Sequence, residues 1–584
     1  MSAGPPARAG RAAGAVAGGH APRRGGVAGS VLRGAGIILV VTVVARIAGF
    51  VRYLVFGGSV GAGDVGTAYS TANMLPSVLF EIAAGGMLAA AVVPLIAGLV
   101  PEGGREGDGQ EEVGPAAAAP GDAALAGRII STLLTWTLLG TGLLAALLIL
   151  LAQPLASLLL ASDAPGAAGV MLGTTLLRIF ALQLPLYGLS VVLAAYLQAR
   201  KRFLWPAMMP LLSSLLVMAS YRVYAHLVPS VATAATIGPG AVSWLGWGTT
   251  AGVAAMAVPV LVVSLRSGLR LRPSLRMPGH LARRALALGG AGLGAVGAQQ
   301  LVLGLVMLLA MHAGGIGTLP VFQYAQAVYL LPYAVLVVPL VTSVFPHLSE
   351  LRLVGDRTGF ARLSAFSVRT VMAVAVIGSA MLFAAGPALE QFFRQIDRAG
   401  ASGVGSTSAA LALGLTGFAV ATQCTRILSA ALRARDALLV GSVGWVVAAG
   451  AILALILPSP ERAPAEASTA FGLSIAAGMA LAGVVGLARI ADILEHGGHL
   501  AQVRRTALLV PLAVLLGGVP GMLLGRQLIT SGTGALGAVL VGILCGLVAA
   551  LLAAATMAAA DPDVTRRFLQ RVRAGRHGAV EQVS

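Results

Sequence analysis

Arg46, Arg52, Arg178, Arg222, Arg426 and Glu81 interrupt stretches that are otherwise apolar, and their chemistry asks for explanation first. A charged group at the centre of a bilayer costs roughly 2.5–3.5 kcal/mol on insertion scales, so one that is retained faces a partner, a cavity or a ligand. Arg52, Arg222 and Arg426 lie near the ends of their stretches, where interfacial anchoring of a long side chain competes with cavity lining. Arg46 and Arg178 sit about 8 to 10 residues from the outer ends of theirs, or about 12–15 Å, too deep for that escape. Glu81, the acidic residue embedded in the second stretch, falls at a similar expected depth, so we expect it to pair with Arg46. Two readings stay open. The pair is either a structural clamp or part of a water-filled cavity in which arginines attract an anion while Glu81 and the embedded Asn73 tune or gate them.

Other chemistries find little support. Cys424 and Cys545 lie in different apolar segments with no metal-ligand spacing. His496 and His499 are three residues apart, but Gly497 and Gly498 separate them where a zinc hydrolase helix needs a glutamate. No connection is long enough for a soluble catalytic domain, and no Gly-rich phosphate loop precedes a soluble helix. A transporter without nucleotide hydrolysis, with no metal or organic cofactor, is expected rather than an enzyme.

The elements that must hold these residues follow from composition. Of 584 residues 57% are hydrophobic and 10% charged, with mean hydropathy +0.90, an excess that must face lipid. About 20 apolar residues cross a bilayer. About fourteen such segments are legible, near 34–56, 73–99, 129–152, 170–196, 207–227, 241–265, 286–311, 321–345, 370–389, 408–432, 437–457, 469–488, 506–525 and 534–557. The net charge of +18 is distributed as a topology signal and not as a nucleic-acid patch. Arginine and lysine concentrate in alternate connections and both tails, while the other connections hold Arg394, Arg398, Arg462 and Arg526. Both termini are therefore expected in the cytoplasm.

The expected organisation is an all-α integral membrane protein: a disordered tail (1–33), a six-helix lobe (34–265), a second six-helix lobe (266–488), two further helices (489–557) and a basic tail (558–584). The acidic stretch 101–127 reads as a solvated linker. A faint repeat supports the two lobes. Ala72-Asn73-Met74-Leu75-Pro76 is echoed by Val328-Tyr329-Leu330-Leu331-Pro332, and each is followed by Val-Val-Pro-Leu, at 92–95 and 337–340.

The stretch 42–94, with Arg46, two residues, Gly49-Phe50-Val51-Arg52, a short Gly-rich loop, Leu75-Pro76 and a terminal Val93-Pro94, resembles the opening of the MurJ (MviN) lipid II flippases of the multidrug, oligosaccharidyl-lipid and polysaccharide exporter superfamily. The resemblance implies a bacterial cytoplasmic-membrane flippase for undecaprenyl-diphosphate-linked peptidoglycan precursor. It would work by alternating access, driven by an ion gradient or membrane potential, alongside cell-wall synthesis or division proteins. It also implies that Arg46 and Arg52 meet the diphosphate; Arg178, by its depth, is a further candidate substrate residue lining or gating the cavity with Glu81. The chain departs from the family pattern at Ser77, Phe80, Glu81 and Gly85, at Thr67 where an aspartate is familiar, and at Ala325-Gln326-Ala327 where Ala-Asp-Arg is familiar. The alternatives are another polyprenyl-linked glycolipid as cargo, a non-transporting scaffold of a cell-envelope complex, and a drug exporter of related architecture.

Overall fold

The computed structural model describes residues 25–82, 95, 120–160, 166–229, 232–276, 279–459 and 461–562. The acidic stretch as far as 119, most of the first tail, Gly85, Val93, Pro94 and the tail beyond 562 lie outside these residues.

In chain order the helices are α1 (Gly25–Ser59), α2 (Asp64–Phe80), α3 (Pro120–Leu150), α4 (Ala152–Leu160), α5 (Gly166–Ala181), α6 (Gln183–Ala199), α7 (Leu204–Leu227), α8 (Pro239–Arg266), α9 (Gly279–Gly314), α10 (Thr318–Pro332), α11 (Val338–Val354), α12 (Arg357–Ala384), α13 (Gly386–Ile396), α14 (Val404–Ala430), α15 (Ala434–Ile456), α16 (Pro464–Arg489), α17 (Ala491–His496), α18 (Leu500–Leu528) and α19 (Ala535–Ala560). Among the described residues 13 helical segments are long and apolar enough to cross a membrane. Helix α2, described as far as Ile82, occupies the place of the second expected span, so about fourteen crossings hold. The protein is an all-helical multi-pass membrane protein.

Several helices start earlier than expected, and two of these starts bear on the site. Helix α1 is already formed at Gly25, ahead of the expected start at 34, and α2 begins at Asp64 rather than 73. Gly63 precedes α2 in extended conformation, and Asp64 places a carboxylate against the positive end of the helix dipole. At the start of α12, Asp356 caps the helix by accepting from the Gly359 amide at 2.8 Å.

We call α1–α8 the first lobe and α9–α17 the second. In the first, α1 packs on α7, α2 on α5, and α8 on α6 and α7; in the second, α14 packs tightly on α16. A Cβ at Gly414 would fall 2.5 Å from the Ala476 Cα and one at Gly417 2.4 Å from the Met479 carbonyl, so only glycine lets these backbones meet. Helices α18 and α19 pack on α12. There Arg369, buried, donates from Nε to Asp561 at 2.5 Å and from Nη1 to Gln502 at 2.9 Å, while Thr506 donates to Asp561 at 3.1 Å. A buried ion pair satisfied on several sides is costly to break from one side, so it fixes how the last two helices sit.

A widened turn follows each copy of the Leu-Pro repeat. A π-turn covers Tyr333–Val337 directly after Pro332, and π geometry also appears at Glu81 and Ile82, shortly after Pro76. Proline removes one amide donor and clashes with the turn before it, and Pro339 stands just after Tyr333–Val337, so the widened turn there absorbs its mismatch.

Candidate functional site: a central cavity closed at one end

A cavity of about 560 Å³ lies between the lobes. Helix α1 contributes Arg46 and Arg52, α2 contributes Tyr69 and Asn73, α6 Tyr187, and α7 Tyr221. The second lobe contributes Ala327, Leu330, Leu331 and Ala334. The two arginines are six positions apart, which on an α-helix is about 9 Å along the axis and about 120° around it. Arg46 is exposed, and the Arg52 guanidinium lies 5.5 Å from the centre of the Tyr53 ring. Neither arginine makes an ion pair with a carboxylate among the described residues.

The polar wall is internally braced. Tyr69 and Tyr221 hydroxyls meet at 2.8 Å, Tyr69 reaches Thr249 Oγ1 at 3.0 Å, and Tyr187 donates to buried Gln183 Oε1 at 3.1 Å. Phe56 packs between Tyr69, Tyr221 and Tyr324, with ring centres 5.4, 5.3 and 6.1 Å away, and forms an aromatic floor one turn before α1 ends.

Beyond that floor the lobes are joined. The Asp397 carboxylate, on the chain after α13, accepts from the Ala62 amide at 3.0 Å, the Tyr324 hydroxyl at 2.8 Å and the Ala399 amide at 2.9 Å. The Arg398 amide donates to the Gly57 carbonyl at 2.9 Å, and its guanidinium to the carbonyls of Ser59 at 2.7 Å and Val228 at 3.2 Å. Thr67 Oγ1 accepts from the Gly317 amide at 2.9 Å. Gly61, at φ +81°, makes this approach feasible: a Cβ would stand 3.0 Å from the Ala399 nitrogen. Asp397 lies outside the spanning helices, and burial raises its carboxyl above the ordinary value despite its hydrogen-bond donors.

Of the residues the sequence singled out, Arg46, Arg52 and Asn73 come together in one cavity. Glu81 does not line it, and the expected Arg46–Glu81 ion pair is not formed among the described residues. The earlier start of α2 explains this. Counting from the closed end, Arg46 lies about 20 Å along α1 and Glu81 about 26 Å along α2, with Asn73 at about 14 Å. Arg178 is exposed in the last turn of α5 and stands outside the cavity lining. Asp397 and Arg398 escaped sequence reading. Their one signal was that Arg398 broke the charge alternation, and partners more than 300 residues away leave no trace in spacing.

Comparison with known proteins agrees with this architecture. The family model described as "Lipid II flippase MurJ" matches residues 58–551. That range begins after Arg46 and Arg52, whose placement rests on the cavity itself. Among solved structures, a lipid II flippase MurJ in an inward closed conformation superposes with TM-score 0.64 at 16% identity, covering 88% of this chain and 97% of that one. An inward-facing multidrug resistance transporter of the MATE family and MOP superfamily gives TM-score 0.57 at 11% identity, over 79% of this chain and 98% of that one. An outward-facing MATE transporter gives 0.50 at 13%, over 79% and 96%. With the match spanning most of its length, this chain belongs to the MurJ lipid II flippase family.

Proposed function

We propose that this protein moves lipid II, the undecaprenyl-diphosphate-linked peptidoglycan precursor, from the inner to the outer leaflet of the bacterial cytoplasmic membrane. Transport is by alternating access, driven by an ion gradient or the membrane potential, with both termini in the cytoplasm. The observation that carries this reading is the pair Arg46 and Arg52, which present guanidinium groups to an interlobe cavity with no carboxylate paired to either among the described residues. Two such groups suit the two phosphates of a diphosphate, because each fork donates in parallel to phosphate oxygens. The cavity's closure at the Asp397 end corresponds to one of the two states such a cycle needs, and solved MATE structures of the same fold occur in both inward-facing and outward-facing forms.

The test is reconstitution in liposomes carrying labelled lipid II, with protection from an external reagent read under an imposed ion gradient or potential. Wild-type transport that collapses in Arg46→Ala and in Arg52→Ala supports the reading; wild type without transport sinks it. One observation favours a second cargo. Ala327 lines the cavity where the family resemblance leads one to expect an arginine, so the second lobe offers no charge there, and a different polyprenyl-linked glycolipid is the alternative to assay in the same liposomes.

A further inference from the structure

At the end of the first lobe away from Asp397 lies a second cavity, of about 670 Å³, between the start of α3, the α6–α7 turn and the chain leaving α8. Arg128, Arg200, Arg270 and Arg272 line it, and no aspartate or glutamate among the described residues does. At the corresponding end of the second lobe two arginines are paired with carboxylates: Arg433 meets Asp436 and Asp492, each at 2.8 Å, and Arg489 meets Asp436 at 3.3 Å. Four guanidinium groups sharing a concavity repel one another unless an anion joins them.

The pocket is built rather than accidental. Arg200 is held by Nη1, which donates to the Tyr196 hydroxyl at 3.1 Å and to the Ser267 carbonyl, while its buried Nε has no hydrogen-bond partner among the described residues. A buried donor left without an acceptor is unfavourable, and a ligand oxygen would relieve it. Arg270 and Arg272 sit on a non-helical segment pinned to α3: the Arg272 amide donates to Ser131 Oγ at 3.2 Å, and Ser131 donates to the Arg270 carbonyl at 3.5 Å.

The same segment says where the anion comes from. It continues to Leu275, whose carbonyl accepts from Trp136 Nε1 at 3.2 Å. Leu275 is 62% exposed, and Leu139 and Leu143 further along α3 are 58% and 74% exposed. An outward apolar face therefore begins at the rim of a basic pocket, with a tryptophan at the border, the residue typical of the bilayer interface. We propose that this pocket binds the phosphodiester headgroup of an anionic membrane lipid whose acyl chains lie along α3. Arginine forks match phosphate oxygens, and basic pockets between helix ends suit lipid headgroups. The proposal is independent of the cargo assigned to the central cavity.

The test uses the full chain in mild detergent. Binding of phosphatidylglycerol and of phosphatidylcholine is measured by native mass spectrometry, and thermal stabilisation is recorded with each lipid and with inorganic phosphate. Phosphatidylglycerol should bind better than phosphatidylcholine, and the exposed double variant Arg270→Gln, Arg272→Gln should bind it roughly tenfold more weakly. Arg435→Gln, an exposed arginine of the second lobe, should leave binding unchanged. Equal binding of the two lipids, an unaffected double variant, or stabilisation by inorganic phosphate equal to that by phosphatidylglycerol would each overturn the assignment to a lipid.

Discussion

The central cavity and the closed end draw their charge from opposite lobes. In the cavity Arg46 and Arg52 belong to the first lobe, and the second lobe answers with Ala327, Leu330, Leu331 and Ala334. At the closed end the second lobe brings Asp397 and Arg398, and the first lobe answers with the backbone of Gly57, Ser59, Ala62 and Val228. Charges at the closed end are thus satisfied by the protein itself, which makes that end a joint. Charges in the cavity have no carboxylate partner among the described residues, and the apolar wall facing them can slide past without breaking an ion pair. The cost of opening the joint is a set of hydrogen bonds, each worth about 0.5–1.5 kcal/mol net and about 1.5–3 kcal/mol where a charged group takes part.

The comparison breaks most visibly at the cavity. Replacing Arg46 and Arg52 together by alanine should lower translocation in the liposome assay at least ~100-fold, since the proposed function has both make charge-assisted contacts to the cargo's diphosphate. Thermal unfolding should stay close to wild type, because neither side chain is committed to a carboxylate partner within the described residues. Placing a carboxylate on the apolar wall sharpens the contrast: Ala327→Asp should reduce transport by roughly tenfold by competing with the cargo for the arginines. An unchanged rate would mean that the two walls do not face one cargo.

At the joint, Arg398→Ala removes the donors to Ser59 and Val228. Hydrogen exchange across residues 57–67 should then rise at least roughly tenfold, the effect of about 1.4 kcal/mol or more of lost local protection, while exchange at the buried α14–α16 contact stays unchanged. The smallest effect concerns pH. Burial raises the Asp397 carboxyl above its ordinary value of 3.8, so the closed end binds the proton more tightly than the opened chain does. Its contribution to closure is complete below that ordinary value and fades as pH rises through the raised one. Exchange in 57–67, corrected for its intrinsic pH dependence, should therefore lose protection as pH rises through this acidic range. Asp397→Asn should flatten the profile.

Much of the fold was legible because crossing a bilayer is a local demand. A run of about 20 apolar residues must bury its backbone hydrogen bonds within itself, and this holds whatever its neighbours are. The π-turn at Tyr333–Val337 is a similar case, since Pro339 disturbs only the turn before it. Arg46 and Arg52 were found for the same reason: a charge in an apolar run is conspicuous without any knowledge of packing.

Depth and facing were decided only in three dimensions. Glu81 looked level with Arg46 because the second helix was taken to start at 73; with α2 beginning at Asp64, Glu81 moves deeper and Asn73 takes its place in the cavity. Arg369 looked like one more basic residue of a connection, yet it is buried against Asp561 from the far end of the chain. By itself the sequence determined which segments enter the membrane and which charges go with them, because hydrophobic transfer is additive over a short run. Which of those charges share a cavity, and which hold the lobes together, was decided by the tertiary structure, because that depends on helix starts and on contacts between residues hundreds of positions apart.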